Sequence, residues 1–154
     1  MKRTLIAGFG NVLRGDDGFG VEVIRRLEQA PLPAGVTLIE IGTAGLRLAQ
    51  ELLSPYDHLI VVDAMTRGGA PGSLYTLRVD DVASATEVDL HAAIPSRALA
   101  IAQALGGLPA DVHLVGCEPE GVDELGAPLS APVRRALEPA LSAIRRLLAV
   151  TEGS

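Results

Sequence analysis

The 154-residue sequence lacks several features that particular classes of protein need. Cys117 is its single cysteine, which excludes an internal disulfide and a cysteine-type zinc site. It contains no tryptophan, and only 3% of its residues are aromatic, so a base-stacking surface is not expected. It has no basic run, and its net charge is −6. Nucleic acid and anionic membranes are therefore not expected partners.

Long hydrophobic runs are also missing. The apolar residues that follow Met1, Lys2 and Arg3 give way to glycines after a few positions, which is too short for a signal peptide or a membrane span. The lone cysteine fits a reducing compartment, so we predict a cytoplasmic protein. With 48% hydrophobic and 21% charged residues, the chain is typical of a globular protein. Its length predicts one domain over residues 1–154.

Apolar runs that favour strands alternate with stretches of helical periodicity. Too few residues separate the third and fourth expected strands for a crossover helix, so the fourth strand should be antiparallel. The alternation predicts an α/β fold of three layers, a five-stranded mixed sheet with helices on both faces. We expect strands at Thr4–Phe9, Val36–Ile41, His58–Ala64, Ser73–Val79 and Asp111–Cys117, and helices near Gly18–Gln29, after Leu46, from Pro95 to Leu105 and after Ser130.

The stretch from position 5 to position 21 carries the strongest chemical signal. Gly8 and Gly10 supply the first two glycines of a dinucleotide-binding fingerprint, but the third is missing. Asp16 and Asp17 stand where a pyrophosphate would meet the helix, and no P-loop lysine follows. One of these carboxylates can act as a helix cap. The other is a candidate metal ligand or catalytic group.

Polar residues at the ends of strands suggest where a site would form, because ligands bind at the carboxyl ends of strands in such sheets. Asp17 follows the first strand, Asp63 ends the third, and His91 follows the connection after the fourth. An aspartate after a buried strand is costly unless it is hydrogen-bonded, paired or metal-bound, although a turn residue or cap is the alternative for Asp63. Two carboxylates and one imidazole suit Zn(II), Ni(II) or Mn(II) and leave a coordination position open.

Other titratable residues receive different interpretations. His58 and His113 lie toward the amino ends of their strands, away from the carboxyl ends where the site is expected, so we do not expect them at the site. Cys117 is interpreted as a small buried hydrophobic residue rather than a nucleophile. Glu118 and Glu120 are interpreted as solvated loop residues, with a place at the site as the alternative.

These motifs together resemble the nickel–iron hydrogenase maturation endopeptidases. Residues 8–20 resemble that family's opening motif, residues 42–45 its second glycine turn, and residues 57–64 its third-strand motif. His91 stands where the family's histidine precedes a helix. The resemblance covers nearly the whole chain and extends to a tail pattern at Gly116, Pro119, Gly126, Leu129 and Ser130.

The resemblance implies a phosphorylase/hydrolase-like fold with strand order two, one, three, five, four. It implies an endopeptidase that removes the C-terminal extension of a hydrogenase large-subunit precursor after nickel insertion. The family's metal-binding residues fall on Asp17, Asp63 and His91. They would recognise nickel carried by the precursor and position a water or polarise the scissile carbonyl. Other divalent metals such as zinc can occupy such a site.

Two other functions fit the same residues. A metal- or nucleotide-binding module of this fold would bind its ligand without cutting a peptide bond. A general metallopeptidase would carry its own metal and act on unrelated peptides. Stabilisation by a nucleotide would indicate the first, and a tightly bound catalytic metal would indicate the second.

Overall fold

The computed structural model describes residues 2–42, 46–79, 107–121 and 125–152. The described residues contain five strands, all in one sheet. Three of them match their predicted bounds, and the other two differ by a residue at one or both ends. The strands are β1 (Thr4–Phe9), β2 (Val36–Gly42), β3 (His58–Ala64), β4 (Leu74–Arg78) and β5 (Asp111–Cys117).

The sheet order is β2-β1-β3-β5-β4. β1 pairs in parallel with β2 and β3, and β3 pairs in parallel with β5. β4 pairs only with β5, in antiparallel orientation. The predicted mixed sheet, its order and its one antiparallel strand are therefore confirmed. β1, β3 and β5 lie inside the sheet, which explains their continuous apolar sequences.

Helices cover both faces of the sheet, as predicted. A 3₁₀ turn (Gly15–Gly18) leads into α1 (Phe19–Leu27), and α1 packs with α3 (Ala131–Glu152) on one face. The short α2 (Leu46–Glu51) packs on the other face. The helix predicted from Pro95 to Leu105 lies outside the described residues. In the parts of the chain that the structure describes, no helix combines the length and apolar character needed to cross a bilayer.

Two glycines allow α1 to begin directly against the sheet. A side chain at Gly20 would collide with the carbonyl groups of Phe9 and Val62, at the carboxyl ends of β1 and β3. Gly10 has a φ of 130°, which L side chains rarely adopt, and a Cβ there would collide with the Asp17 carbonyl oxygen. The glycines of the first turn therefore serve close strand–helix packing, which is a structural reason for the fingerprint-like pattern.

Two histidines meet at the amino edge of the sheet, the edge opposite the candidate site. His58 Nε2 lies 2.8 Å from His113 Nδ1, so one ring donates a hydrogen bond to the other. His58 is 1% exposed. Burial, followed by the charge of His113, lowers the pKa of His58 to about 4, and burial also lowers the pKa of His113. This contact was not predicted, because the two residues lie far apart in sequence.

We expect the His58 pair to make the protein sensitive to mild acid. Between pH 6.5, the ordinary histidine pKa, and about 4, the unfolded chain takes up a proton that the folded chain excludes. Stability is therefore full above pH 6.5 and falls as the pH is lowered, by up to ~3 kcal/mol at ~1.4 kcal/mol per pKa unit. Urea unfolding at pH 7, 6, 5 and 4.5 measures this fall.

His58→Leu is the test variant, since leucine cannot titrate. The neighbouring charges are Asp111, which favours the protonated His58, and Lys2 and Arg78, which oppose it. The variant should show a flatter pH dependence than the wild type over this range. An unchanged fall in stability would assign the acid sensitivity to other groups.

Candidate active site at the carboxyl edge of the sheet

Asp17 lies in the 3₁₀ turn that follows β1, and its side chain is half-buried. Its Oδ2 atom accepts a hydrogen bond from the Asn11 backbone N–H at 3.0 Å. Asn11 in turn accepts the Leu13 N–H through its side-chain oxygen at 2.9 Å, which fixes the shape of the turn. No other hydrogen bond from the described residues reaches the Asp17 carboxylate.

Asp63 is the next-to-last residue of β3. The strand is fully buried from His58 to Val62 and becomes half-buried at Asp63. Oδ1 of Asp63 accepts the N–H of the next residue, Ala64, at 2.8 Å. Opposite Asp63, the neighbouring strand contributes Gly116, and the Met65 side chain fills the space that a side chain at Gly116 would take.

The two carboxylates belong to adjacent parts of the same edge. β1 and β3 are neighbouring parallel strands, and the 3₁₀ turn that carries Asp17 contacts β3. His91, the third predicted ligand, lies outside the described residues. Across residues 2–42, 46–79, 107–121 and 125–152, no three histidine, cysteine, aspartate or glutamate side chains form a group that could hold a metal. The three-residue ligand set therefore stays a prediction.

Asp16 has a different environment from its neighbour Asp17. It is 1% exposed, and both of its carboxylate oxygens accept hydrogen bonds from residues far along the chain. Oδ1 accepts the Ser130 N–H at 2.7 Å. Oδ2 accepts the N–H groups of Glu120 and Gly121 at 2.7 and 3.1 Å and the Ser130 hydroxyl at 2.9 Å. Asp16 therefore joins the first turn to the segment that leads into α3.

These contacts keep Asp16 charged and correct one interpretation. Burial raises the pKa of Asp16, but hydrogen bonds from Ser130, Gly121 and Glu120 outweigh burial, so the pKa lies below its ordinary value. The interpretation of an aspartate as a cap of its own helix is wrong. No side-chain hydrogen bond caps the 3₁₀ turn or α1, because Asp16 points toward β5 and α3 instead. The Asp16 carboxylate is directed toward Glu120, Gly121 and Ser130, whereas the Asp17 carboxylate bonds to Asn11.

The interpretation of Glu118 as a solvated loop residue is wrong. It is 4% exposed and lies directly after β5. Its Oε1 atom accepts the N–H groups of Arg67 and Gly69 at 2.8 and 3.0 Å and the Tyr75 hydroxyl at 2.6 Å. The carboxylate is buried because these donors from the β3–β4 loop and β4 replace water. Glu120, in contrast, is exposed, as expected.

The hydrogen bonds to Glu118 also decide its protonation. Burial raises the pKa of Glu118, but the hydrogen bonds from Tyr75, Arg67 and Gly69 together lower it below the ordinary value. The same contact raises the pKa of Tyr75. Glu118 therefore holds the loop after Asp63 as an anion.

Cys117 is buried, has no disulfide partner and carries a thiol of high pKa. Burial first, and the negative charges of Asp16 and Glu118 next, raise the pKa of this thiol to about 12. A thiol of this kind is not ionised near neutral pH and is a poor nucleophile. The prediction that Cys117 acts as a buried hydrophobic residue therefore agrees with its surroundings.

A groove of about 430 Å³ lies beside the turn that carries Asp17. Gly15 and Gly18, the two ends of the 3₁₀ turn, line it together with Val12 and Arg25. Val12 also lines a second groove, together with Gly10, Leu13 and Glu40. Val12 and Leu13 are 41% and 60% exposed. The first groove therefore runs between α1 and the start of α3, and its lining includes the charged residues Glu22, Arg26 and Arg134 but neither Asp17 nor Asp63.

The sequence model of the hydrogenase maturation proteases matches residues 21–147 of this chain. A curated relative, the hydrogenase expression/formation protein HoxM of Azotobacter vinelandii, is 40% identical over 149 residues. That alignment covers 94% of this chain and 72% of the relative.

Solved structures give the same result. The hydrogenase maturating endopeptidase HybD from Escherichia coli superposes with a TM-score of 0.84 at 31% identity, covering 99% of this chain and 94% of that one. The [NiFe] hydrogenase maturation protease HybD from Thermococcus kodakarensis superposes with a TM-score of 0.77 at 25% identity, covering 94% and 98%. The similarity therefore extends over the whole sheet and the edge that carries Asp17 and Asp63.

Proposed function

Because this chain belongs to the hydrogenase maturation protease family, whose members are endopeptidases, we propose that it removes the C-terminal extension of a hydrogenase large-subunit precursor that already contains nickel. The observation that carries the proposal is the pair of aspartates at one edge of the sheet. Asp17 and Asp63 follow neighbouring parallel strands, and each has one carboxylate oxygen held by a backbone N–H. The reaction is the hydrolysis of a single peptide bond.

The proposed role of Asp17, Asp63 and His91 is to recognise the nickel ion of the precursor. Carboxylate oxygens are anionic donors, and imidazole nitrogen is a common ligand of nickel. The backbone hydrogen bonds to Asp17 and Asp63 orient the carboxylates, in the way that outer partners orient metal ligands in general. Three protein ligands leave positions for the precursor's own ligands and for a water molecule. The ion would then lie beside the scissile carbonyl and either polarise it or orient the attacking water.

The donor set supports recognition of a metal that arrives with the substrate. Two carboxylates and one imidazole form a sparse set, and Cys117 is too deeply buried to join them. Carboxylates close together also repel each other when no cation is present, which favours a site that waits for one. In this proposal the nickel belongs to the substrate. The enzyme contributes the geometry that distinguishes a loaded precursor from an empty one.

We expect chelator-treated protein to cut a nickel-loaded precursor at the rate of untreated protein and to leave a nickel-free precursor intact. The physical reason is that the metal resides in the substrate and the protein binds it weakly alone. Mass spectrometry of the precursor before and after incubation measures the loss of the C-terminal extension. Chelator must be removed from the protein before mixing, so that it does not strip nickel from the substrate.

A different outcome would favour the general metallopeptidase. Stoichiometric zinc in the purified protein, with activity lost on its removal and restored by zinc alone, would contradict the proposal. Cleavage of nickel-free precursor at the same rate as loaded precursor would also contradict it. An unrelated peptide serves as the negative control and should stay uncut in both arms.

A further inference from the structure

We infer that residues 118–121, which directly follow β5, hold the Asp17 turn and the Asp63 loop in position relative to each other. Glu118 is the positioning residue on the Asp63 side, and Asp16 serves the same purpose on the Asp17 side. The inference rests on the proposed function, because it concerns the geometry of the same two carboxylates. It adds residues that need not touch the substrate or its metal.

The contacts on the Asp63 side begin where β3 ends. Met65, two residues after Asp63, donates its N–H to the Cys117 carbonyl at 2.9 Å. The Glu118 backbone then bonds to both sides of a turn, donating to the Ser73 carbonyl and accepting from the Gly72 N–H, each at 2.8 Å. The Glu118 carboxylate closes the loop from inside through the Arg67, Gly69 and Tyr75 bonds described above. The start, middle and end of the loop are thus all attached to β5 and the residue after it.

The contacts on the Asp17 side run in both directions. The Asp16 N–H donates to the Gly121 carbonyl at 3.1 Å, and the Gly121 N–H donates back to the Asp16 carboxylate at 3.1 Å. The Glu120 N–H adds a second bond to that carboxylate. Gly15 is tied to the same region through its N–H bond to the Ala127 carbonyl at 3.1 Å. Asp17 is the next residue after this fixed point.

Asp16 and Glu118, the two anchors of this arrangement, are buried carboxylates that each accept several hydrogen bonds, which restricts their movement. Hydrogen bonds to an ionised acceptor are stronger than neutral ones, and buried N–H groups that lose such an acceptor are costly to leave unpaired. Metal-binding and catalytic groups must be held within ~0.5 Å of a productive arrangement. A four-residue segment that is bonded to both turns provides that constraint. Loss of the hydrogen bonds to Glu118 should therefore lower kcat more than it changes KM.

The test uses two tyrosine variants that each remove one hydroxyl. Tyr75→Phe removes the 2.6 Å bond to Glu118, and Tyr56→Phe removes a 2.8 Å bond to Glu51 from a tyrosine just before the amino end of β3. Glu118→Ala removes all three side-chain bonds, and Glu118→Gln keeps an oxygen acceptor in the same place. Measurements are kcat and KM for a nickel-loaded precursor and the amide hydrogen exchange of Arg67 and Gly69.

We expect Glu118→Ala to lower kcat by ~10–100-fold, the range typical for groups that orient metal ligands, with KM within about twofold of wild type. The Arg67 and Gly69 amides should exchange faster. Tyr75→Phe should show the same changes to a smaller degree, and Glu118→Gln should recover most of kcat. Tyr56→Phe should leave kcat and these amides unchanged. If Glu118→Ala fails to fold, the comparison of kcat between Tyr75→Phe and Tyr56→Phe tests the positioning role of Glu118.

Two results would overturn the inference. The first is wild-type kcat in folded Glu118→Ala or, if that variant does not fold, in Tyr75→Phe. The second is an equal loss of kcat in Tyr75→Phe and Tyr56→Phe, which would indicate a general effect of stability. Failure of the proposed function gives a different pattern, in which the wild-type protein leaves the loaded precursor uncut. In that case, unchanged amide exchange of Arg67 and Gly69 in the Glu118 variants would show that Glu118 does not hold the loop. Faster exchange would show that Glu118 holds the loop but would leave it only a structural role.

Discussion

Asp17→Asn is expected to abolish precursor processing, a fall of ~10³-fold or more, while the melting temperature stays near that of wild type. The amide keeps an oxygen that can accept the Asn11 N–H, the one hydrogen bond to Asp17 from the described residues. It loses the negative charge that a divalent cation prefers. Processing is measured as the mass loss of a nickel-loaded precursor, and stability by thermal unfolding.

Asp63→Asn should also abolish processing, because the amide loses the negative charge while its oxygen can still accept the Ala64 N–H. His91→Ala should likewise stop processing if the histidine completes the ligand set. His113→Ala is the control, since this residue lies on β5 near the amino edge and should not affect cleavage. Wild-type processing by any of the first three variants would remove that residue from the site.

Asp16→Ala, a change at the residue next to Asp17, should instead cause a large loss of stability. Truncation leaves four hydrogen-bond donors without their acceptor, from Glu120, Gly121 and two groups of Ser130. Each lost bond to a charged group costs ~1.5–3 kcal/mol, and water entering the space recovers part of this. We expect a loss of ~4 kcal/mol or more, and a melting temperature lower by ~10 °C or more. Urea and thermal unfolding at pH 7 measure both.

Asp17→Ala is the matched control, because it removes a carboxylate one residue away that accepts a single N–H. A comparable loss of stability in both variants would contradict the assignment of the buried anchor to Asp16. The pH dependence gives a second check. The pKa of Asp16 is lowered on folding, so its stabilisation is present above the ordinary value of 3.8 and is lost as the pH falls through the folded-state pKa. The difference between wild type and Asp16→Ala should shrink in strong acid.

The sequence was sufficient for the sheet because strand burial has a local signature. β3 and β5 are interior strands, and their apolar runs end at the residues where burial ends or the chain turns. Asp63 could be identified as a candidate because its charge breaks such a run. Asp17 could be identified because it follows a strand and a glycine turn. In both cases the signal lies within a few residues of the side chain that it concerns.

The anchors could not be predicted in this way. Asp16 accepts from residues 104 to 114 positions away, and Glu118 accepts from residues 43 to 51 positions away. A glutamate in a loop is usually solvated, and nothing near Glu118 in the sequence indicates that the β3–β4 loop will surround it. The His58–His113 contact, 55 positions apart, has the same cause. Long-range donors decide which charged residues are buried, and only the folded structure brings those donors together.

The position of β5 between β3 and β4 also bears on how the chain is completed during synthesis. β4 is made before β5, so the β4–β5 pairing cannot form until residues 111–117 have left the ribosome. The hydrogen bonds to the Asp16 carboxylate form still later, since two of their donors belong to Ser130. Contacts this distant in sequence form slowly, because a long loop must close before they stabilise anything. The edge that carries both aspartates is therefore assembled late, after almost the whole polypeptide has emerged.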